Sequence, residues 1–265
     1  MKRIFASVFA VFMLALMLAG CNQKKETVFI GGAGDLEGKK IGVQLGTTGD
    51  IYASDIKGVT MSRYNKAVDA AIDLKNSKVD AVILDEQPAK KIVENNSDLM
   101  ILNESLTKED YAIAVRKGDT ELLKSINATL ARIKKDGTFQ SFLDAYIPQS
   151  GESKPLPDRT ATNYKDTIVM GTNAEFAPFE YKEGDKVVGF DVEVANEIAA
   201  DLQKNLKIED MKFDSLIGAL AAGKIDMILA GMTVSDERKK SVDFSDSYYT
   251  STQVIIIRKT SLKEG

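Results

Sequence analysis

The chain has 265 residues, 44% of them apolar, with mean hydropathy −0.15 and a formal charge of −4, enough for one large domain or two ordinary lobes. It contains no histidine, no tryptophan and one cysteine, which excludes histidine-based triads, cysteine or histidine metal sites and an internal disulfide. The acidic balance offers nucleic acid no basic face, and no Gly-rich phosphate loop or Gly-x-Ser-x-Gly occurs, which removes most nucleotide chemistry and leaves a purely carboxylate mechanism open.

Residues 1–20 join Lys2 and Arg3 to an apolar run from Ile4 to Ala19. The run is shorter than the roughly 20 residues a bilayer crossing needs, so the segment reads as an export signal. Removing it with its two cations takes the formal charge from −4 to −6. Leu18-Ala19-Gly20-Cys21 resembles a bacterial lipobox, which implies cleavage before Cys21 and a lipid on that thiol. Residues 21–34 are polar and glycine-rich and suit a tether.

The periodic pattern starts near Asp35. "KKIGVQLGTTGD" predicts a strand entering a Gly-Thr turn, "NKAVDAAIDLKNSK" a helix with Ala67, Val68, Ala71, Ile72 and Leu74 inward, and "VDAVILD" a second strand. A strand over residues 111–116 leads to a helix carrying Leu122, Leu123, Ile126, Leu130 and Ile133, closed by Lys134, Lys135 and Gly137. A shorter helix with Phe139, Phe142, Leu143 and Tyr146 follows. Residues 148–164 hold three of the five prolines and no apolar period, and read as a linker. Beyond it come the strand "DTIVMGTN", a helix over Asp191–Leu202, a second helix with Asp214 as its expected N-cap, and the strand "IDMILAG". "KIGVQLGTT…SKVDAVILD" and "TIVMGTN…GKIDMILAG" repeat one strand, turn, helix and strand plan, which suggests two similar lobes facing a cleft.

The polar residues placed at strand ends are Thr47 and Thr48 after Gly46, Asn173 after Gly171-Thr172, Asp85, Thr233 and Arg238. Singly they read as turns, a cap and a solvated helix start. Together they suit a zwitterion, whose carboxylate calls for an arginine fork and hydroxyls and whose ammonium calls for a carboxylate.

"GTNAEFAPFEY", "GFDVEVANEIA", "FDSLIGALAAGKIDMILAGMTVSDERKKSVDFSDSYY", "KKIGVQLGTTGD" and "VDAVILDEQPA" together resemble the polar amino-acid-binding proteins of bacterial ABC importers, the family 3 solute-binding proteins. The resemblance covers Asp35–Ile147 and Asp166–Lys259. It implies a two-lobed type II periplasmic-binding-protein fold, mixed α/β in each lobe, that closes on one amino acid. Carried over residue by residue, Arg238 and Thr233 fall on the α-carboxylate clamp, helped by Thr48, with Thr47 beside it. Asp85 falls on the α-ammonium acceptor beside the Ala230 carbonyl. Phe176 and Phe213 fall where rings sandwich the ligand side chain, and Asn173, Glu175, Gln44 and Gly49 line its end. The expected partners are a polar amino acid (amide or cation), ABC permease subunits and the membrane through Cys21, with no cofactor, no metal, no nucleic acid and a monomeric state. A dehydratase-like enzyme using Glu175 and a sensor domain are the alternatives.

The order departs from the resemblance: the lobe that stands second in the family comes first here. Joining Gly265 to Asp35 gives "QVIIIRKTSLKEGDLEGKKIGVQLG", continuous family sequence, as in a circular permutant; a tandem fragment and deliberate engineering are the other readings. The expected layout is the second lobe at 35–110, a hinge crossover at 111–117, terminal helices of the first lobe at 118–147, the linker at 148–164, the first lobe at 165–252, and a second crossover strand and tail at 253–265.

Overall fold

Two five-stranded sheets of the same plan organise the chain. The computed structural model describes residues 28–149, 151–157 and 163–262; the expected export signal at 1–20 and the expected lipidation site Cys21 lie outside them. The elements run β1 (Lys40–Gln44), α1 (Thr48–Ser54), β2 (Thr60–Tyr64), α2 (Ala67–Lys75), β3 (Ala81–Asp85), α3 (Glu86–Glu94), β4 (Leu99–Ile101), β5 (Glu109–Tyr111), β6 (Ala114–Arg116), α4 (Thr120–Asp136) and α5 (Thr138–Tyr146). After the proline-rich stretch come β7 (Asp166–Thr172), β8 (Glu175–Phe176), β9 (Glu180–Glu183), β10 (Lys186–Val188), α6 (Phe190–Asp201), β11 (Lys204–Asp210), α7 (Leu216–Ala221), β12 (Met227–Ile228), α8 (Asp236–Lys239), β13 (Val242–Phe244), β14 (Tyr249–Ser251) and β15 (Gln253–Arg258).

One sheet has the order β2-β1-β3-β15-β4, the other β11-β7-β12-β6-β13. In each, three strands run parallel and a fourth enters antiparallel: β15 against β3 in one, β6 against β12 in the other. β3, Ala-Val-Ile-Leu-Asp, is buried throughout, as is β15 up to Ile257, which is why both read as continuous apolar runs rather than alternating ones. Each such Ile, Leu or Val contributes about 1.5–3 kcal/mol on burial.

The two lobes are joined where β5 and β14 pair antiparallel, Tyr111 opposite Tyr249 and Glu109 opposite Ser251. This corrects the sequence expectation at both crossings. The passages between lobes lie at 109–111 and 249–251, ahead of 111–117 and 253–265. β6 is already a strand of one sheet, and β15 sits centrally in the other instead of ending at the hinge. Both crossings are therefore covalently intact.

Helix faces follow the pattern except on α2. There Ala67, Ala70, Ala71 and Leu74 are buried while Val68 and Ile72 stay about half exposed, because Gly42 of β1 admits the alanine face so closely that a Cβ on it would lie 3.2 Å from Ala70 Cβ. α4 ends as its sequence foretells, with Gly137 in the left-handed region (φ 89°). Asp214 does not cap α7 with its side chain; it lies in a 3-10 turn beneath Gly46. Residues 153 and 154 turn back on α5, Lys154 pairing with Asp144 at 2.6 Å.

Candidate ligand-binding site

Gln44, Thr47, Thr48 and Asp85 from one lobe meet Asn173, Phe176, Phe213, Ala230, Thr233 and Arg238 from the other around one cavity. Ten of the residues singled out in the sequence are thus brought together. Glu180 and Gly231 complete the lining and were not foreseen.

The strand ends explain the placement. Asp85 closes β3 and occupies the N-cap position of α3, yet makes no side-chain cap bond; its carboxylate turns instead to accept a hydrogen bond from the Tyr111 hydroxyl across the hinge. Thr47 is the true cap of α1: it accepts from the Asp50 N–H (3.4 Å) and donates to the Gln44 carbonyl (2.8 Å), leaving the neighbouring Thr48 toward the cavity. Ser235 caps α8 by accepting from the Arg238 N–H (3.2 Å), which fixes the helix that carries the guanidinium.

Arg238 is 8% exposed. Its guanidinium donates to the Thr233 carbonyl (2.7 Å) and, across the cleft, to the Gly46 carbonyl (3.0 Å), and it lies 5.3 Å over the Phe213 ring. Among the described residues no carboxylate forms an ion pair with it. Burial pulls its pKa below the usual arginine value, opposed by Asp85 and Glu109. A buried fork without a carboxylate is matched by an anion that supplies one.

Asp85 is buried, and desolvation, then the neighbouring Glu109, raises its pKa to about 7; the Tyr111 bond pulls the other way. Glu109 itself accepts from Thr233 Oγ1 (2.6 Å) and Thr107 Oγ1 (2.7 Å). Asp85 therefore gains from any added cation.

Glu180 is fully buried, and neither carboxyl oxygen has a donor among the described residues. Burial, then Asp191, raises its pKa well above the carboxylate range. Its position depends on Gly189, whose φ is 130° and where a Cβ would meet the Phe179 carbonyl oxygen at 2.2 Å. Only glycine lets the chain before α6 press on the 178–180 turn in this way.

Glu175 is not part of the cavity. It forms a 2.6 Å ion pair with Lys66 of the opposite lobe, with side chains 28% and 48% exposed, which places it at the lip between the lobes. Deeper in the cleft, Gln44 Nε2 donates to Asn173 Oδ1 (2.8 Å). The Lys66–Glu175, Gln44–Asn173 and Arg238–Gly46 contacts all cross the cleft, so the lobes are closed on one another. Among the described residues no group of three or more metal-ligating side chains occurs and no helix is long and apolar enough to cross a membrane.

Residues 168–263 match the model of the family described as bacterial extracellular solute-binding proteins, family 3. Among curated proteins, the chain is 50% identical over 97 residues to the arginine-binding extracellular protein ArtP of Bacillus subtilis, covering 37% of this chain and 38% of that one. It is 38% identical over 93 residues to the L-arginine-binding protein of Pseudomonas aeruginosa, covering 35% and 36%. Among solved structures it is 45% identical to the arginine-bound form of domain 1 from TmArgBP, covering 36% of this chain and 82% of that one, with a TM-score of 0.32. The chain spans less than half the length of these curated relatives. The relatives are named as binding proteins, and two mixed sheets exchanging strands at a paired hinge are the architecture of type II periplasmic binding proteins. Over residues 168–263 the chain is thus similar to the bacterial extracellular solute-binding proteins, family 3.

Proposed function

We propose that the protein is an extracytoplasmic receptor that closes its two lobes on an L-amino acid with a cationic side chain and delivers it to an ABC permease, without catalysis of its own. The observation that carries this is the charge content of one interlobe cavity: Asp85 from one lobe, Arg238 and Glu180 from the other, each buried and none ion-paired within it. A cationic amino acid brings one carboxylate, one ammonium and one side-chain cation. Those three charges complement the three in the cavity. Arg238 and Thr233 take the carboxylate with Thr48, Asp85 and the Ala230 carbonyl take the ammonium, and Phe176 and Phe213 flank the stem. Glutamine and other amides bring no cation to Glu180 and so gain no charge pairing there.

The curated relatives quoted above are named for arginine, which supports the same class. Glu175, the acid named for the dehydratase alternative, is held by Lys66 outside the cavity. Anchoring through a lipid on Cys21 stays part of the proposal. A monomer is sufficient, since both lobes and every cavity residue come from one chain.

The lobe order is read as a circular permutation. The Ile30 N–H donates to the Ser261 carbonyl at 2.8 Å and Ile30 bridges in parallel to Leu262, so the segment leading to Asp35 lies beside the end of β15. Under this reading the break falls inside one lobe, after its central strand, and leaves the hinge whole.

Calorimetry on the purified protein with each of the twenty amino acids tests the receptor reading. Arginine or lysine is expected to bind at micromolar or tighter Kd, with glutamine at least about 10-fold weaker. Heat from none of the twenty would refute it.

A further inference from the structure

Glu180 has one partner that the cavity does not supply. Asp191, in the first turn of α6, is also fully buried; its Oδ2 accepts from the Gly231 N–H (3.0 Å) and the Tyr248 hydroxyl (2.9 Å), while its Oδ1 has no donor among the described residues. Gly231 follows Ala230 in the cavity lining and packs so closely on Phe176 that a Cβ on it would lie 2.7 Å from Cε1 of that ring. Asp191 thereby ties three parts of the cavity together: the 230–233 turn, the Phe176 ring and Glu180. Two carboxylates cannot hydrogen-bond to each other unless one of them is protonated. A single proton between the two carboxyl groups pairs one orphaned Glu180 oxygen with the orphaned Asp191 Oδ1 and leaves the second Glu180 oxygen for a donor in the cavity.

We propose that Glu180 and Asp191 form a buried acid pair holding one shared proton, that a cationic side chain entering the cavity displaces this proton to solvent, and that Asp191 is the positioning residue that holds Glu180 at the ligand. This rests on the reading of the ligand as a cationic amino acid. The exchange balances: a carboxyl O–H bond breaks, the proton passes to water or buffer, and the ligand cation takes its place beside the carboxylate. Direction and cause agree with this assignment. Burial, then Asp191, Asp85 and Asp210, pushes Glu180 up, while Asp191, relieved by Gly231, Tyr248 and Glu180, rises only to about 6. Asp191 is thus the ionised member and Glu180 the proton carrier. The other titratable groups around the pair are Asp85 from β3, Asp210 at the end of β11 held by Lys182 (2.6 Å), Tyr248 before β14 and, across the cavity, Arg238. Glu193 on α6 turns away to the Tyr146 hydroxyl (3.3 Å).

The device discriminates at neutral pH. A neutral side chain leaves the proton where it is and gains nothing from the pair, whereas a cation converts a protonated acid into a counter-ion. The experiment is calorimetry of arginine and of citrulline, its neutral urea analogue, at pH 7 in buffers of differing ionisation enthalpy, which counts protons released. Asp85 releases its share on meeting either ligand's ammonium, so the difference between the two ligands isolates the pair. Arginine is expected to release about one proton more than citrulline. In Glu180→Gln that excess vanishes and arginine loses at least about 30-fold in affinity, while citrulline changes by less than about 3-fold.

In Asp191→Asn the carboxamide can keep the Gly231 and Tyr248 bonds and give an N–H to Glu180. The excess proton is then lost while arginine still binds. Equal release for both ligands in the wild type, or full excess release in Asp191→Asn, overturns the proposal. An independent readout separates the shared proton from the ligand class: the unliganded wild type minus Glu180→Gln infrared difference at pH 7 should contain a protonated-carboxyl carbonyl band. If the band is present and no cationic amino acid binds, the receptor's ligand class is wrong and the shared proton stands. If the band is absent, the pair is refuted whatever binds.

Discussion

At the scale of single residues the site is defined by charges whose partners are missing. Arg238 is the plainest case. Removing it should cost about 2–5 kcal/mol of ligand affinity, roughly 30- to 5,000-fold, because the ligand carboxylate would be buried unpaired. Arg238→Lys should recover only part, since the bonds to the Thr233 and Gly46 carbonyls use a planar fork. Calorimetry of both variants checks this.

Asp85 gives a pH dependence whose sign can be worked out. Its carboxyl moves from 3.8 in the unfolded chain to about 7 in the folded one, so the unfolded state gives up its proton first and the folded protein loses stability as pH rises from about 4 to 7. Above about 7 both states are ionised and the penalty is constant. An ammonium beside Asp85 favours the charged form, so the affinity for a ligand with a neutral side chain, such as citrulline, should climb over the same interval and level off. Thermal melts with and without ligand should diverge with pH in the wild type. In Asp85→Asn the unliganded melting temperature should lose this component, together with most of the binding. An affinity flat from pH 5 to 8 would remove Asp85 from the ammonium site.

At the scale of elements, what the sequence showed depended on whether a residue's fate was local. The cap of α4 at Gly137, the continuous apolar runs of β3 and β15 and the period of α6 were readable because each is settled within one element. Val68 and Ile72 were misread for the opposite reason. Their helical spacing is correct, but Gly42 of a neighbouring strand admits the alanine side of α2 and leaves them outside. The same holds in the site. Asp85 ends β3, and Thr233 and Arg238 follow β12 on a loop and on the short α8, where pattern alone suggests a ligand. Glu180 sits within β9 and becomes a buried acid only because Gly189 brings α6 against the 178–180 turn. No local signal distinguishes it from Glu175, which the fold instead sends to the lip.

Two predictions belong to this scale. Gly189→Ala places a Cβ 2.2 Å from the Phe179 carbonyl oxygen at φ 130°, so it should destabilise the protein by about 2 kcal/mol or more, seen as a lower urea midpoint. Glu175→Gln breaks only a partly exposed ion pair with Lys66, and should change ligand affinity by less than about 5-fold, since such pairs contribute about 1 kcal/mol or less. A loss of 100-fold would return Glu175 to the ligand site and reopen the enzymatic alternative.

At the scale of the whole molecule the hinge matters more than the order in which the lobes are written. The chain passes between lobes twice, and the two passages pair as β5 and β14. Closure needs those two strands to flex together while each sheet stays rigid. Nothing in that motion depends on which lobe comes first, because β15 and β1 lie in the same sheet, separated only by β3. The join that the family order would need is short: Ile30 already bonds to Ser261, and the Gly31 N–H reaches Asp35 Oδ2 at 2.9 Å. A rearranged chain that starts at Asp166, runs through Gly265 directly into Asp35 and ends at Pro148 should therefore fold and bind the same amino acid within about 10-fold. It would lose residues 28–34, with the buried Ile30 and its bond to Ser261, and the 151–157 segment, with the Lys154–Asp144 pair and the packing of Leu156 on the core, so its melting temperature should fall by about 5 °C or more. Binding weakened by 100-fold in a well-folded rearranged chain would mean that the order of the lobes is itself part of the closing mechanism, and the two crossings would then not suffice to explain it.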